Sequence, residues 1–560
     1  MVKKHLFLLI ISVAATLTMA QKYTNPIVYE DYSDPDVIRS GEDYWMTASS
    51  FHCWPGLPIL HSYDLVNWEV VNHAIKGPIP GGTGRTVEHG NQVWAPSIRE
   101  HKGIFYITWG DPDAGIYEVH TADPWDEWSE PKLIVEAKGY IDACPFWDED
   151  GRTYIVHALA RSRAGMKSVL LLTETDEQLT KIITPSKIIF DGHETQPTCE
   201  GPKMYKKDGW YYIFFPAGGV PTGWQAVIRN RSLDVFGDDY DPKMWEERIV
   251  MVQGATKVNG PHQGGWVTTP SGEDWFIHFQ DVGPLGRILH LQPMVWPKGE
   301  WPVIGEEMET EELLGRPVTE HKMPSVSKKQ KALIKKNKKV RIGYFGSALE
   351  NVNEWQWQAW RDEATVEGLK KGMLYSKQKS GNSLWDEQHM VLKKITGPDV
   401  QYTTQVIFRP GQTGDRLGFI VMGKAYAALE LKKEDDGSIS ISSLTCENGE
   451  KSAKEKVEPL TGWIDMDGRD MVPLKQKQIF LRISIHSADA LPDAGNDDKR
   501  VTARFSYSTD GIHFTEAPGI FHVEPGKWIG AKVGFYCISE SESEGNCKIL
   551  SFQEVFPKKK

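Results

Sequence analysis

Five residues whose types suit catalysis stand at nearly one distance upstream of a repeated short pattern. They are Asp34, Trp94, Asp142, Glu200 and His262, seven to ten residues before Gly41, Gly103, Gly151, Gly209 and Gly272. Three carboxylates with an indole and an imidazole make an acid–base set. One carboxylate must be ionised and another protonated at the same pH, so their surroundings must differ. Taken singly, each carboxylate has an ordinary reading as a turn cap, a holder of a backbone amide or a surface group. Their shared offset from five repeats points instead to one convergent site.

The repeated pattern is a turn glycine followed by aromatic and apolar residues, as in Gly103-Ile104-Phe105-Tyr106-Ile107 and Gly209-Trp210-Tyr211-Tyr212-Ile213. Its interval of roughly 50 to 65 residues fits one four-stranded propeller blade per copy. In a propeller the innermost strand of every blade borders the central channel, so the five upstream positions are expected to meet there. Turn segments such as Ser62–Trp68 and Ala122–Trp128 recur between the copies, with Asp placed to cap a turn and Trp to cover the space between blades. Long amphipathic helical periodicity is nearly absent before residue 305. An all-β fold is expected: a five-bladed β-propeller over 21–305, a lysine-rich linker over 306–340, and a β-sandwich over 341–560.

The composition narrows the function classes. The chain has 64 Lys and Arg against 76 Asp and Glu, a mildly acidic balance without a basic groove, which argues against nucleic acid as a partner. No glycine-rich loop leads from a strand into a helix, so nucleotide use is unsupported. Lys3 and Lys4, the apolar run Leu6 to Val13 and the small residues ending at Ala20 describe a secretory signal peptide. The expectation is export to a periplasm or the medium, with no membrane insertion of the mature chain. Six cysteines without CxxC spacing read as buried thiols rather than a zinc site or a disulfide scaffold.

The surroundings of the acids resemble glycoside hydrolase family 43, the five-bladed β-xylosidases and α-L-arabinofuranosidases. The resemblance rests on Ser33-Asp34-Pro35-Asp36, Val93-Trp94-Ala95-Pro96, Ile141-Asp142-Ala143, Glu200-Gly201-Pro202 and Gly286-Arg287 with Leu291-Gln292. Residues 355–357 and 505–511 are similar to the sandwich attached to many members. It implies Asp34 as general base, Glu200 as general acid and Asp142 as the carboxylate that raises and orients that acid, in an inverting hydrolysis. It further implies that Trp94 stacks on the sugar, and that Arg287 donates to a sugar hydroxyl and toward Glu200. Trp54, on a loop after the Asp34 strand, is expected to shape a subsite. His262 matches a central histidine that lies beside a calcium or sodium ion through water, so no cofactor is required and a structural calcium is the one metal in view. Implied partners are plant cell-wall xylo-oligosaccharides and arabinoxylan. The appended sandwich favours exo-acting β-xylosidase over arabinofuranosidase, with Asp489–Asp498 as the expected pocket-closing loop. A non-catalytic carbohydrate-binding protein is the remoter alternative. Tyr32-Ser33 before Asp34, where many members have His-Pro, and Cys144-Pro145 after Asp142 depart from the pattern and bear on substrate preference. The β-fructosidases share the two-domain plan, but their Arg-Asp-Pro motif is absent from the chain.

Overall fold

The five turn glycines all have positive φ, from 58° at Gly41 to 87° at Gly151. At Gly41, Gly103, Gly151 and Gly272 there is open space where a Cβ would stand, so backbone conformation and not crowding calls for glycine. Each glycine joins the first two strands of a blade. A computed structural model of the protein describes residues 21–80, 84–237, 240–297, 300–308, 314–341, 349, 351–460, 478–487 and 501–557. The signal-peptide expectation and the loop Asp489–Asp498 lie outside these described residues.

Blade I comprises Asp36–Ser40, Asp43–Thr47, Gly56–Ser62 and Glu69–Ile75, and blade II runs from Trp94–His101 to Lys132–Glu136. Blade III begins at Tyr140–Trp147, blade IV at Lys203–Lys207 and blade V at Gly264–Thr268; every sheet is antiparallel in sequence order through its four strands. The spacing turns follow the sequence: Asp64 Oδ1 accepts the amides of Val66 and Asn67, and the Trp68 indole donates to Leu65 O. Trp128 is buried between blades I and II, whereas Trp125 remains exposed.

The described residues of the linker expected over 306–340 form short strands and a helix. Glu306–Glu307 and Gly315–Arg316 extend the blade IV sheet, and Glu320–Lys322 pairs with Lys22–Thr24. Lys328–Arg341 is a helix. Ser327 and Gln330 exchange hydrogen bonds in a capping box, and Gln330 and Ser327 both bond Glu42. A lysine run is solvated whether coiled or helical, and lysine is a fair helix former, so charge alone did not separate the two.

The C-terminal domain packs two large sheets face to face, antiparallel but for the parallel pairing of Lys377–Gln378 with Lys532–Ser539. Val400–Arg409 and Gln478–Ser487 alternate buried and partly exposed residues, as half-buried strands do. The sandwich also locks onto the propeller: Trp54 N donates to Trp357 O, Asn351 Nδ2 to Val70 O, and Gly530 N to Asp31 Oδ2. All six cysteines are buried free thiols. Six thiols are therefore expected to titrate after denaturation without reductant, and four or fewer would mean that a disulfide forms.

Candidate active site

The inner strands of the blades begin with backbone that aims side chains into the channel. Asp34 and Asp142 have φ of 54° and 61°, Ala95 beside Trp94 has 34°, and Thr198 and Gly201 flank Glu200 at 59° and 57°. Register shifts mark β-bulges between Trp94 and Ser97 and between Ile141 and Cys144. Bulges re-aim a side chain, and Asp tolerates the left-handed region better than most residues do. Strain of this kind persists where the surroundings hold it, and here they do.

Asp34 is 7% exposed and bound on both oxygens. Ser49 Oγ donates to Oδ2 at 2.6 Å, and Arg287 Nη1 donates to Oδ1 at 3.0 Å. Ser49 is itself fixed by the Ala95 amide at 2.7 Å. Arg287 is buried, donates also to Ser33 Oγ and stands 3.7 Å from Asp281. Its backbone amide donates to Asp31 Oδ1, and the preceding Gly286 leaves no room for a Cβ, which would stand 2.4 Å from Asp31. Arg287 thus grips Asp34 directly, and its charge also acts on Glu200.

Asp142 is buried, and its Oδ2 accepts the Gly201 amide at 2.8 Å, tying the second acid to the turn that carries the third. Burial raises the Asp142 pKa, the Gly201 amide lowers it, and Asp34 raises it again. Glu200 keeps 31% of its side chain open to the channel. Its pKa is raised by burial first and then by the anions Asp142 and Asp34, against the pull of Arg287 and Lys167. The set therefore pairs a carboxylate held by charged and hydroxyl donors with one driven toward its protonated form. Asp142→Asn removes an anion that raises Glu200, so the alkaline limb of the kcat/KM profile is expected to move down by about one pH unit. An unmoved limb would show that Asp142 does not act through Glu200.

His262 is buried, its pKa pushed down to about 3 by burial and by Arg287 and His278, so it is a neutral imidazole. Its Nε2 is 3.7 Å from Glu200 Oε1, and neither ring nitrogen has a hydrogen-bond partner. Among the described residues no three His, Cys, Asp or Glu side chains gather as metal ligands.

Trp94 is half-buried, with its indole N–H bonded to Gly90 O at 2.9 Å and an edge contact to Phe51. Trp54 does not shape a subsite. It is 1% exposed, packed among the apolar side chains of blades I and II, and its indole donates to Gln92. Its main chain pairs with Trp357 of the sandwich, and this pairing draws the residue inward.

Sequence reading missed the support around the acids: Ser49, Asp31 and the sandwich segment 527–530. Lys527 and Trp528 pack on Gly90, whose carbonyl holds Trp94, while Gly530 holds Asp31. Trp528 is 54% exposed at the positive φ of 64°. Ser49 lies 15 residues beyond Asp34, and no repeat marks it.

A family model described as glycosyl hydrolases family 43 matches residues 23–302, and one described as β-xylosidase C-terminal concanavalin A-like domain matches residues 350–553. A putative β-xylosidase from Xylanibacter ruminicola is 32% identical over 523 residues, spanning 91% of this chain and 85% of that protein. A β-xylosidase from Formosa agariphila is 23% identical over 570 residues, spanning 93% and 88%. The solved structure of a xylan β-1,4-xylosidase from Bacillus halodurans C-125 shares the fold, with a TM-score of 0.73 at 20% identity, covering 95% of this chain and 99% of that one. With its propeller, its sandwich and its converging acids, the chain belongs to glycosyl hydrolase family 43 and is a glycosidase.

Proposed function

We propose that the protein is an exo-acting, inverting β-xylosidase that releases xylose from the non-reducing end of β-1,4-xylo-oligosaccharides. Asp34 is the general base that activates water, Glu200 the general acid that protonates the leaving oxygen, and Asp142 the anion that keeps Glu200 protonated and oriented. The names of the relatives that span nearly the whole chain support the substrate class. The observation that carries exo action is the sandwich segment 527–530, seated between Gly90 and Asp31 at the acid end of the channel. Trp94 offers the sugar an aromatic face, and Arg287 acts through Asp34. The N-terminal segment supports export, and Gln21 as the first residue of secreted protein would bear that out.

α-L-Arabinofuranosidase is the second reading, because both pentoses present similar hydroxyls to a small pocket. Proton NMR of the mature protein on xylo-oligosaccharides and an arabinose-decorated xylan fragment separates them. Free xylose appearing first as the α-anomer establishes an inverting β-xylosidase. Arabinose release from an intact backbone moves the protein to debranching, and no release of either sugar overturns the enzymatic assignment of these substrates.

A further inference from the structure

Lys203 carries a charge without a counter-charge of its own. It is 0% exposed, and its ammonium donates to Pro96 O at 3.0 Å and Ser97 Oγ at 2.7 Å. Both acceptors are neutral, and among the described residues no carboxylate forms an ion pair with it. An ammonium buried on neutral acceptors is strongly unfavourable unless nearby anions offset it. The anions are at hand, because Lys203 follows Glu200-Gly201-Pro202 at the start of the blade IV inner strand.

The hydrogen bonds of Lys203 close a belt around the channel. Its acceptors lie in the blade II bulge, beside the Ala95 amide that fixes Ser49 on Asp34. On its other side, the Gly201 amide is bonded to Asp142. The belt therefore runs from Asp34 through Ser49, Ala95, Pro96 and Lys203 to Gly201 and Asp142. It joins the three acids across blades I to IV.

We propose that Lys203 is a positioning residue of the hydrolysis, the buried counter-charge of Asp142 and the strut that holds the Glu200 turn against blade II. The proposal rests on the reading that Asp34, Asp142 and Glu200 run the reaction. The charged groups facing Asp142 are Asp34 from blade I, Lys203 and Glu200 from blade IV, and Arg287 from blade V; Lys203 and Arg287 are the two that favour its anion. Without Lys203, Asp142 holds its proton to higher pH, so the anion that keeps Glu200 protonated forms later as pH rises and is complete again before the alkaline limb.

The test is the pH dependence of kcat/KM on an aryl xyloside for Lys203→Met, Lys203→Gln and Ser97→Ala. Both charge-removing variants are expected to move the acid limb upward by about one pH unit, with no downward movement of the alkaline limb. The glutamine variant retains a donor for Pro96 and Ser97, so it carries the test if the methionine variant fails to fold. Ser97→Ala keeps the charge and removes one strut, and its limbs are expected to stay in place. Lowered activity with unmoved limbs in both Lys203 variants would reduce Lys203 to a structural role, and an equal shift in Ser97→Ala would also overturn the proposal. Failure here is distinct from failure of the acid assignments, since Glu200→Gln and Asp34→Asn test those without touching Lys203.

Discussion

Glu200→Gln is expected to lower kcat/KM by about 10²–10⁴-fold on xylobiose, whose leaving group needs a proton, and much less on an aryl xyloside with an acidic phenol. The reasoning starts from the open 31% of the Glu200 side chain. Its side chain is more open than that of Asp34 or Asp142, and burial with two neighbouring anions favours its protonated form. A phenolate that departs without help bypasses that proton. Equal losses on both substrates would remove Glu200 from the role of acid. The same variant supplies a control on folding. The pKa of Glu200 is raised in the folded protein, so its ionisation costs stability above the unfolded value near 4.5, and the cost is complete once pH exceeds the raised value. Glutamine removes that cost. The variant is therefore expected to be more stable than the wild type at pH 8, on the order of 1 kcal/mol, and equal to it near pH 4. A less stable variant at pH 8 would show that the carboxyl serves the fold as well as the reaction.

The architecture was legible because each blade repeats a backbone necessity. A hairpin glycine at positive φ is written five times at intervals of roughly 50 to 65 residues, and the residue seven to ten positions upstream then borders the channel. That periodicity placed Asp34, Trp94, Asp142, Glu200 and His262 on one site without any knowledge of side-chain contacts. What it did not convey is what lies between blades. Ser49 belongs to a second strand's exit and reaches Asp34 only because blade I folds back on itself. Trp54 follows the same strand and was expected to shape a subsite, but the sandwich, about 300 residues later in the chain, pairs with its backbone at Trp357 and buries it. Contacts between distant segments leave no local pattern, and the sandwich's hold on Asp31 through Gly530 is of this kind. The lysine-rich helix was missed for another reason: its capping box, Ser327 with Gln330, was present in the sequence and was outweighed by the charge run that follows it.

Asp34→Asn is expected to abolish turnover by about 10²–10⁴-fold on every substrate, whatever the leaving group. Water attack needs a base in each case, so an acidic phenol brings no relief; this separates Asp34 from Glu200. Asparagine keeps an oxygen and its volume, which preserves either the Ser49 or the Arg287 hydrogen bond and limits damage to the fold. Asp34→Ala is the harsher test. It leaves Arg287 buried with only Ser33 and the more distant Asp281, and removing one partner of a buried pair is strongly destabilising. Where that variant folds, the space left by the carboxylate admits a small anion. Azide is then expected to attack the aryl β-xyloside from the face Asp34 served and to give the α-xylosyl azide, with activity restored in proportion to azide concentration. A β-configured azide would mean two successive inversions, with azide intercepting a covalent xylosyl-enzyme on the face from which the phenol left. Such an outcome would reassign Asp34 from the base of an inversion to the acid/base of a retaining reaction, with the nucleophile elsewhere, and with it the geometry of the whole pocket.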